Sequence, residues 1–353
     1  MENILVTGAF GQIGSELVTA LSKKKGVVKV VSHDNRQPAA GFKGIFEIAD
    51  IRDGVAMERI VKEHKIDTVF HLVSLLSATG EQNPNLAWDI NMNGLKIILD
   101  LAVKYKLRVF WPSSIAAFGP TTPRDKTPQQ TVLEPTTMYG ATKVAGELLC
   151  QYYHLKYGLD IRSLRYPGLI SWKTPPGGGT TDYAVGIFYD ALAKGSYECF
   201  VKKDTVLPMM YMDDAIRGTI KLMDAPAKKL TVHTSYNMAA ISFRADELAA
   251  EINKQLSHSP FSKGRGPLAV RDLNPSAPRN PSPPAGGTPF RKGRITPPLT
   301  VTYRPDHRQK IADSWPRSID DSQARKDWGW KHEFDLEKMT KVMLSNLQHA
   351  NKR

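Results

Sequence analysis

Cysteine is almost missing from this chain: Cys150 and Cys199 are the only two in 353 residues. That is too few for a disulfide framework or a four-ligand structural zinc site, and it fits a reducing compartment with both thiols buried. No run approaches the ~20 consecutive apolar residues that a membrane span needs, so no membrane partner is expected. The opening "ENILVTGAFGQIG" shows neither the apolar core of a secretory signal nor the Arg- and Ser-rich character of a transit leader. The expectation is a cytoplasmic protein, or a mitochondrial matrix one whose leader is not part of this sequence.

Acidic residues are scarce in one stretch. Between Ser257 and Thr300 seven basic residues face a single acid, Asp272, so about half of the net charge of +13 sits there. Proline recurs every few residues and no apolar periodicity is present, so residues 257–298 are expected to form a disordered or surface insertion. No basic stripe interleaved with aromatics occurs elsewhere, which argues against a nucleic-acid partner. With 41% hydrophobic and 24% charged residues, the remainder has a globular composition and enough apolar material for a large core.

What is present is alternation. The β-branched runs "NILVT", "VKVVS", "DTVFHLV", "RVFWPSS" and "DIRSLRY" read as strands, separated by helical patterns near residues 12–25, 54–64, 86–105 and 139–157. Such alternation predicts an α/β fold: a doubly wound parallel sheet of the Rossmann type with helices on both faces. After about residue 170 the pattern becomes irregular. The expected division is a dinucleotide-binding domain over 1–170, to which later strands return, and a smaller substrate-binding lobe over 171–353.

"VTGAFGQIG" places Gly8, Gly11 and Gly14 where the first strand meets the first helix. Glycines there allow a tight turn and let a pyrophosphate approach the backbone at the helix N-terminus, with Phe10, Gln12 and Ile13 lining the turn. Asp34 follows Gly14 by twenty residues, at the end of the second strand. A carboxylate there accepts hydrogen bonds from a ribose and repels a 2′-phosphate, which favours NAD over NADP. The neighbouring Asn35 and Arg36 complete that edge, and Arg36 argues the other way. Asp50 and Ile51 are candidates to border the adenine, and Leu72 to border the dinucleotide.

In "MYGATKVAGE", Tyr139 and Lys143 stand four residues apart on a helix and therefore share a face. An ammonium beside a phenol favours the phenolate, which suits a general base. Ser113 and Ser114 end the strand "RVFWPSS", where a hydroxyl can hold a reacting group beside the phenol. The stretch from Thr68 to Pro84, "TVFHLVSLLSATGEQNP", runs from a strand into a hydroxyl-rich loop that includes Ser74, Ser77 and Thr79.

Together these motifs resemble the extended short-chain dehydrogenase/reductases. The segments "HLVSLLSATGEQNP", "PGGGTTDYAV" and "IADSWPRSIDDSQARKDWGW" are similar, more narrowly, to those of the short-chain L-threonine 3-dehydrogenases. The resemblance runs from Asn3 to about Leu256 and again from about Leu299 to Leu347; "EINKQL" would join "LTVTYRPDHRQKIADSW" directly if the insertion were removed. It implies NAD-dependent oxidation of L-threonine, with Tyr139, Lys143, Ser114 and Asn91 in catalysis and Tyr139, Lys143 and Pro167 also against the cofactor. Ser74, Ser113, Ser114, Tyr139, Thr180, Thr181 and Asp182 would contact the substrate, and Trp315 would lie at the pocket wall or in the core. The glycines of "PPGGGTTDYAV" would give a closing loop its hinge freedom. The resemblance implies a homodimer through the helices near 86–105 and 139–157, and no metal. The rival readings are a nucleotide-sugar epimerase or dehydratase with the same cofactor chemistry, and a non-catalytic NAD-binding scaffold.

Overall fold

A computed structural model describes residues 1–258 and 298–350. The main sheet contains β1 (Asn3–Thr7), β2 (Lys29–Asp34), β3 (Ile45–Ile48), β4 (Thr68–His71), β5 (Arg108–Ser114) and β6 (Ile161–Tyr166). Its seventh strand, β10 (Tyr236–Asn237), returns from later in the chain. All pairings are parallel, and the order is β10-β6-β5-β4-β1-β2-β3. The five strands legible in the sequence are there. β3 and β10 were not anticipated, because one is half exposed at an edge and the other only two residues long.

The central strands are buried along nearly their whole length because both faces of the sheet are covered. On one face Ile4, Val6, Phe70 and Phe110 pack against Leu17 and Leu21 of the helix Gln12–Leu21, and against Ile216 and Leu222 of the helix Met212–Asp224. On the other, Leu5, Val69, Val109 and Trp111 meet the helices Gly54–Glu63, Gly94–Tyr105 and Met138–Tyr157. Period-two alternation thus divides each strand between two cores. Cys150 belongs to the second of these and Cys199 to the separate core of the lobe; both are buried, and burial pushes both thiols up from their ordinary pKa.

The helical pattern near 86–105 is three joined pieces: Pro84–Trp88, a π-helical turn over Asp89–Asn93, and Gly94–Tyr105. The hydroxyl-rich segment after β4 also differs from a plain loop. A short helix, Ser77–Gln82, begins at Ser77. Beyond β6 the chain builds a three-stranded sheet from β7 (Gly168–Ile170), β9 (Val206–Tyr211) and β11 (Ile241–Arg244). A two-stranded one joins β8 (Ser196–Cys199) and β12 (Thr300–Tyr303). Trp315 lies in the core of this region with Tyr183, Phe188 and Met339. Of the insertion, residues 259–297 lie outside the described residues.

The helix Met138–Tyr157 comes unusually near β5. A Cβ on Gly146 would fall 2.4 Å from a ring carbon of Trp111, and one on Gly140 would fall 2.3 Å from the Ala116 carbonyl oxygen. Only glycine permits this approach. Gly146→Ala is expected to destabilise the protein by about 1–3 kcal/mol through overpacking. The expected readout is a lower denaturant midpoint at unchanged m-value.

Candidate active site

The glycine turn sits between β1 and β4, where the strand order reverses and open parallel sheets bind nucleotides. Gly8 has a φ of +69°, and a Cβ on Gly14 would meet the Gly8 carbonyl oxygen at 2.2 Å. The turn therefore folds back on itself as closely as glycine allows. Gln12 opens the helix, with Ile13 beside it, and Gly11 precedes both. Leu72 donates its amide to the Thr7 carbonyl (3.1 Å), closing the floor of the crevice.

Asp34 is buried at the end of β2. It accepts from the Phe10 amide (3.1 Å) and from the Arg36 guanidinium (3.0 Å to Nε). Burial pushes its carboxyl up, but the bonds from Arg36 and the Phe10 amide outweigh burial and hold it below the usual range. Arg36 is thus committed to Asp34, although its own side chain remains exposed. Asn35 is exposed beside them. Asp50 is held by Arg52 at 2.6 Å, whose hydrogen bond lowers it to about 2, and Arg52 also reaches Asp89. The side chain of Ile51 points into the core against Gly94. Pro167 is buried between β6 and β7.

Tyr139, Lys143 and Ser114 come together. Thr137 caps the helix, its hydroxyl accepting from the Gly140 amide (3.0 Å), so Tyr139 lies in the first turn. Burial pushes the phenol up to about 12, and the neighbouring Ser114 hydroxyl offsets part of the rise. Lys143 is buried, donates to the Pro112 carbonyl (2.7 Å), and lies 5.2 Å above the Tyr139 ring and 4.6 Å from that of Trp111. Burial lowers it to about 7. The expectation that the ammonium draws the phenol down is therefore not met: desolvation acts on both groups and moves them toward their neutral forms.

Asn91 falls in the π-helical turn and works as a brace. Its Oδ1 accepts from the Leu75 amide (2.8 Å) and the Ser74 hydroxyl (3.2 Å). Its Nδ2 donates to the Leu75 carbonyl and to Thr142 Oγ1 (both 3.1 Å). Thr142 in turn donates to the Tyr139 carbonyl (2.8 Å). Ser74 is thereby tied to the helix that carries Tyr139.

Two substrate candidates are spoken for elsewhere. Ser113 donates to Glu147 (2.6 Å) and is buried, so it does not face the site. Asp182 accepts the amides of Gly177, Gly178 and Gly179 on one carboxylate oxygen (2.7, 2.8 and 2.8 Å). Those glycines wrap an internal anion rather than lending hinge freedom, and Asp182 makes no helix-capping bond. Thr180 is buried with its hydroxyl unpartnered, and the carbons of Thr181 lie against Gly168. Reading the sequence missed the brace at Thr142 and the buried acids Glu147 and Glu16. Glu16, on the first helix, accepts from Ser171 (2.5 Å) and Lys173 (2.7 Å), which anchors the root of the glycine loop.

A groove of about 640 Å³ lies between the helices Gln12–Leu21 and Met212–Asp224, with Glu16, Thr19, Lys173, Asp213 and Arg217 along it. It contains none of the candidate catalytic, cofactor or substrate residues. Lys173 pairs with Glu16 and Arg217 with Asp214, so it is a seam between helices and not the reaction centre. Among the described residues no cluster of His, Cys, Asp or Glu could hold a metal, and no helix is long and apolar enough to cross a membrane.

The turn, the carboxylate at β2 and the Ser-Tyr-Lys set define a dinucleotide-dependent enzyme of the short-chain dehydrogenase type. The chain belongs to the NAD dependent epimerase/dehydratase family, which it matches over residues 4–239, and NAD is its cofactor. It is 45% identical to an uncharacterized epimerase/dehydratase of Staphylococcus haemolyticus, over 99% of this chain and 98% of that protein. It is 44% identical to the mitochondrial L-threonine 3-dehydrogenase of Bos taurus, over 98% of this chain and 82% of that one. A monomeric L-threonine 3-dehydrogenase from a metagenome, solved in its apo form, is 48% identical with a TM-score of 0.84, covering 99% of both chains.

Replacing Asp34 with alanine is expected to weaken NAD binding by about tenfold, the loss of one charge-assisted bond. It should also free Arg36 for a 2′-phosphate. Equilibrium titration with both dinucleotides checks this: the NAD/NADP preference narrows or reverses.

Proposed function

We propose that this protein oxidises L-threonine at C3 to 2-amino-3-oxobutanoate with NAD. The observation that carries the reading is the convergence of Tyr139, Ser114 and Lys143 beside the nucleotide crevice, together with a hydroxyl-bearing loop braced to the same helix. Near-full-length likeness to L-threonine 3-dehydrogenases supports the choice of substrate over a nucleotide sugar.

Bound NAD supplies the hydride acceptor. Ser114 holds the C3 hydroxyl against Tyr139, and Tyr139 takes its proton as the carbonyl forms. Burial pushes the phenol up to about 12, against ionisation. Protonated Lys143, 5.2 Å above the ring, favours the ionised form electrostatically. Asn91 keeps Ser74 and the Tyr139 helix in fixed relation. The Thr180 hydroxyl, buried and without a partner, is a donor suited to a substrate carboxylate, whereas Ser74 would first have to release its bond to Asn91. Residues 1–170 would hold the dinucleotide and 171–353 the substrate lobe.

The homodimer is a second part of this reading. Leu148, Tyr152 and Leu155 are exposed at helical spacing on one face of Met138–Tyr157, with Trp88 exposed on the neighbouring helix. An apolar stripe of this kind suits a second copy. Leu155→Glu is expected to convert the protein to single chains in sedimentation velocity. A wild-type protein that already sediments as one chain refutes the dimer.

The direct assay follows NADH absorbance with L-threonine. Tyr139→Phe is expected to reduce kcat by about 10²-fold or more while NAD binding persists. If the wild type is silent with threonine and retains NAD through purification, a nucleotide-sugar reaction replaces this reading.

A further inference from the structure

Four residues behind the Tyr139 face form a buried ionic assembly that the reaction as described does not use. Glu147 is one helical turn beyond Lys143 and 1% exposed. Its Oε1 accepts from Ser113 Oγ (2.6 Å) and Arg165 Nε (2.8 Å), and its Oε2 accepts from Arg165 Nη2 (2.6 Å). Arg165, on β6, is in register with Ser113 on β5. Its remaining nitrogen donates to the Gln129 carbonyl (3.0 Å) and to Asn237 Oδ1 (3.1 Å), and the guanidinium lies 5.3 Å from the Phe118 ring centroid.

The spacing carries the argument. Lys143 and Glu147, four apart on one helix, bind two consecutive residues of β5, the Pro112 carbonyl and the Ser113 hydroxyl. The next residue of β5 is Ser114. A buried ion pair is weak evidence for stability, since apolar residues of like volume often serve as well, so its presence here calls for another reason.

We propose that Glu147 is a positioning residue: through Ser113 and Arg165 it sets Ser114 against Tyr139, and its charge, one helical turn from Lys143, opposes the loss of the lysine proton. The inference rests on the catalytic reading of Tyr139, Ser114 and Lys143. The groups facing Lys143 are Tyr139, Glu147 and Cys150 on its own helix, His71 on β4, and the Trp111 ring and Pro112 carbonyl on β5. His71 is buried and neutral, bonded to Thr7 at 2.8 Å, and burial holds its pKa near 3. Glu147 is therefore the fixed negative charge near the ammonium. Burial drives Lys143 toward the neutral amine; Cys150 and Glu147 oppose it, and since burial pushes the Cys150 thiol up and keeps it neutral, Glu147 is the opposing charge.

The test compares wild type, Glu147→Gln and the double variant Glu147→Gln/Arg165→Met, the last removing both charges in case the single variant does not fold. Two profiles are recorded against pH: kcat/KM for L-threonine, and NADH affinity by fluorescence, which needs no substrate. Lys143 gains a proton as pH falls, so losing its counter-charge moves the alkaline limb to lower pH. The expected shift is about one unit, with about tenfold less activity above it. The shift should be smaller but of the same sign in the double variant. Variants that lose thermal stability yet keep the wild-type limb in both profiles overturn the proposal and leave Glu147 a structural residue. A wild type inactive on threonine whose NADH limb still moves in the variants refutes the threonine reading and supports this one.

Discussion

Every strand of the main sheet runs in the same direction, so every loop leaving a strand's carboxyl end opens on one edge of the molecule. That constraint gathers the Gly8 turn after β1, Asp34 at the end of β2, Ser74 beyond β4 and Ser114 at the end of β5. From Gly8 to Ser114 these residues span 106 positions of sequence. The reversal of strand order between β1 and β4 separates the helices there and leaves the crevice in which a dinucleotide fits. Replacing any one parallel pairing by an antiparallel one would send a site residue to the opposite edge.

Upon that edge the helix Met138–Tyr157 is laid with little tolerance. Gly140 and Gly146 let it approach β5 to within contact of backbone and indole, and Lys143 and Glu147 pin it at two successive strand residues. The same closeness dehydrates Tyr139 and Lys143, which is why both shift toward neutrality. Precise placement and electrostatic strain are two results of one packing decision.

Much of the site was legible beforehand. Glycine spacing, an acid twenty residues downstream and a Tyr-x-x-x-Lys pair are local patterns with local physical causes, and each stands where the pattern places it. The errors came where a side chain chooses its partner through space. Ser113 and Ser114 are adjacent and chemically identical, yet strand alternation sends one inward to Glu147 and leaves the other at the phenol. Asp182, a plausible ligand for an ammonium, is consumed by three neighbouring amides, and Ile51 turns into the core. Glu147 stood in plain view at the end of "MYGATKVAGE", but its role needed Arg165, which lies eighteen residues on and one strand over.

The amino-acid sequence alone determined the alternation of strand and helix, the glycine turn and the pairing of Tyr139 with Lys143 on one helical face, since these follow from periodicity and from residue types within one or two turns of each other. Only the tertiary structure decided the strand order, the π-helical turn that delivers Asn91, the bracing of Ser74 and the ionisation of the phenol and the lysine. Those depend on which groups are excluded from water together, and burial is a property of the packed whole and not of any segment.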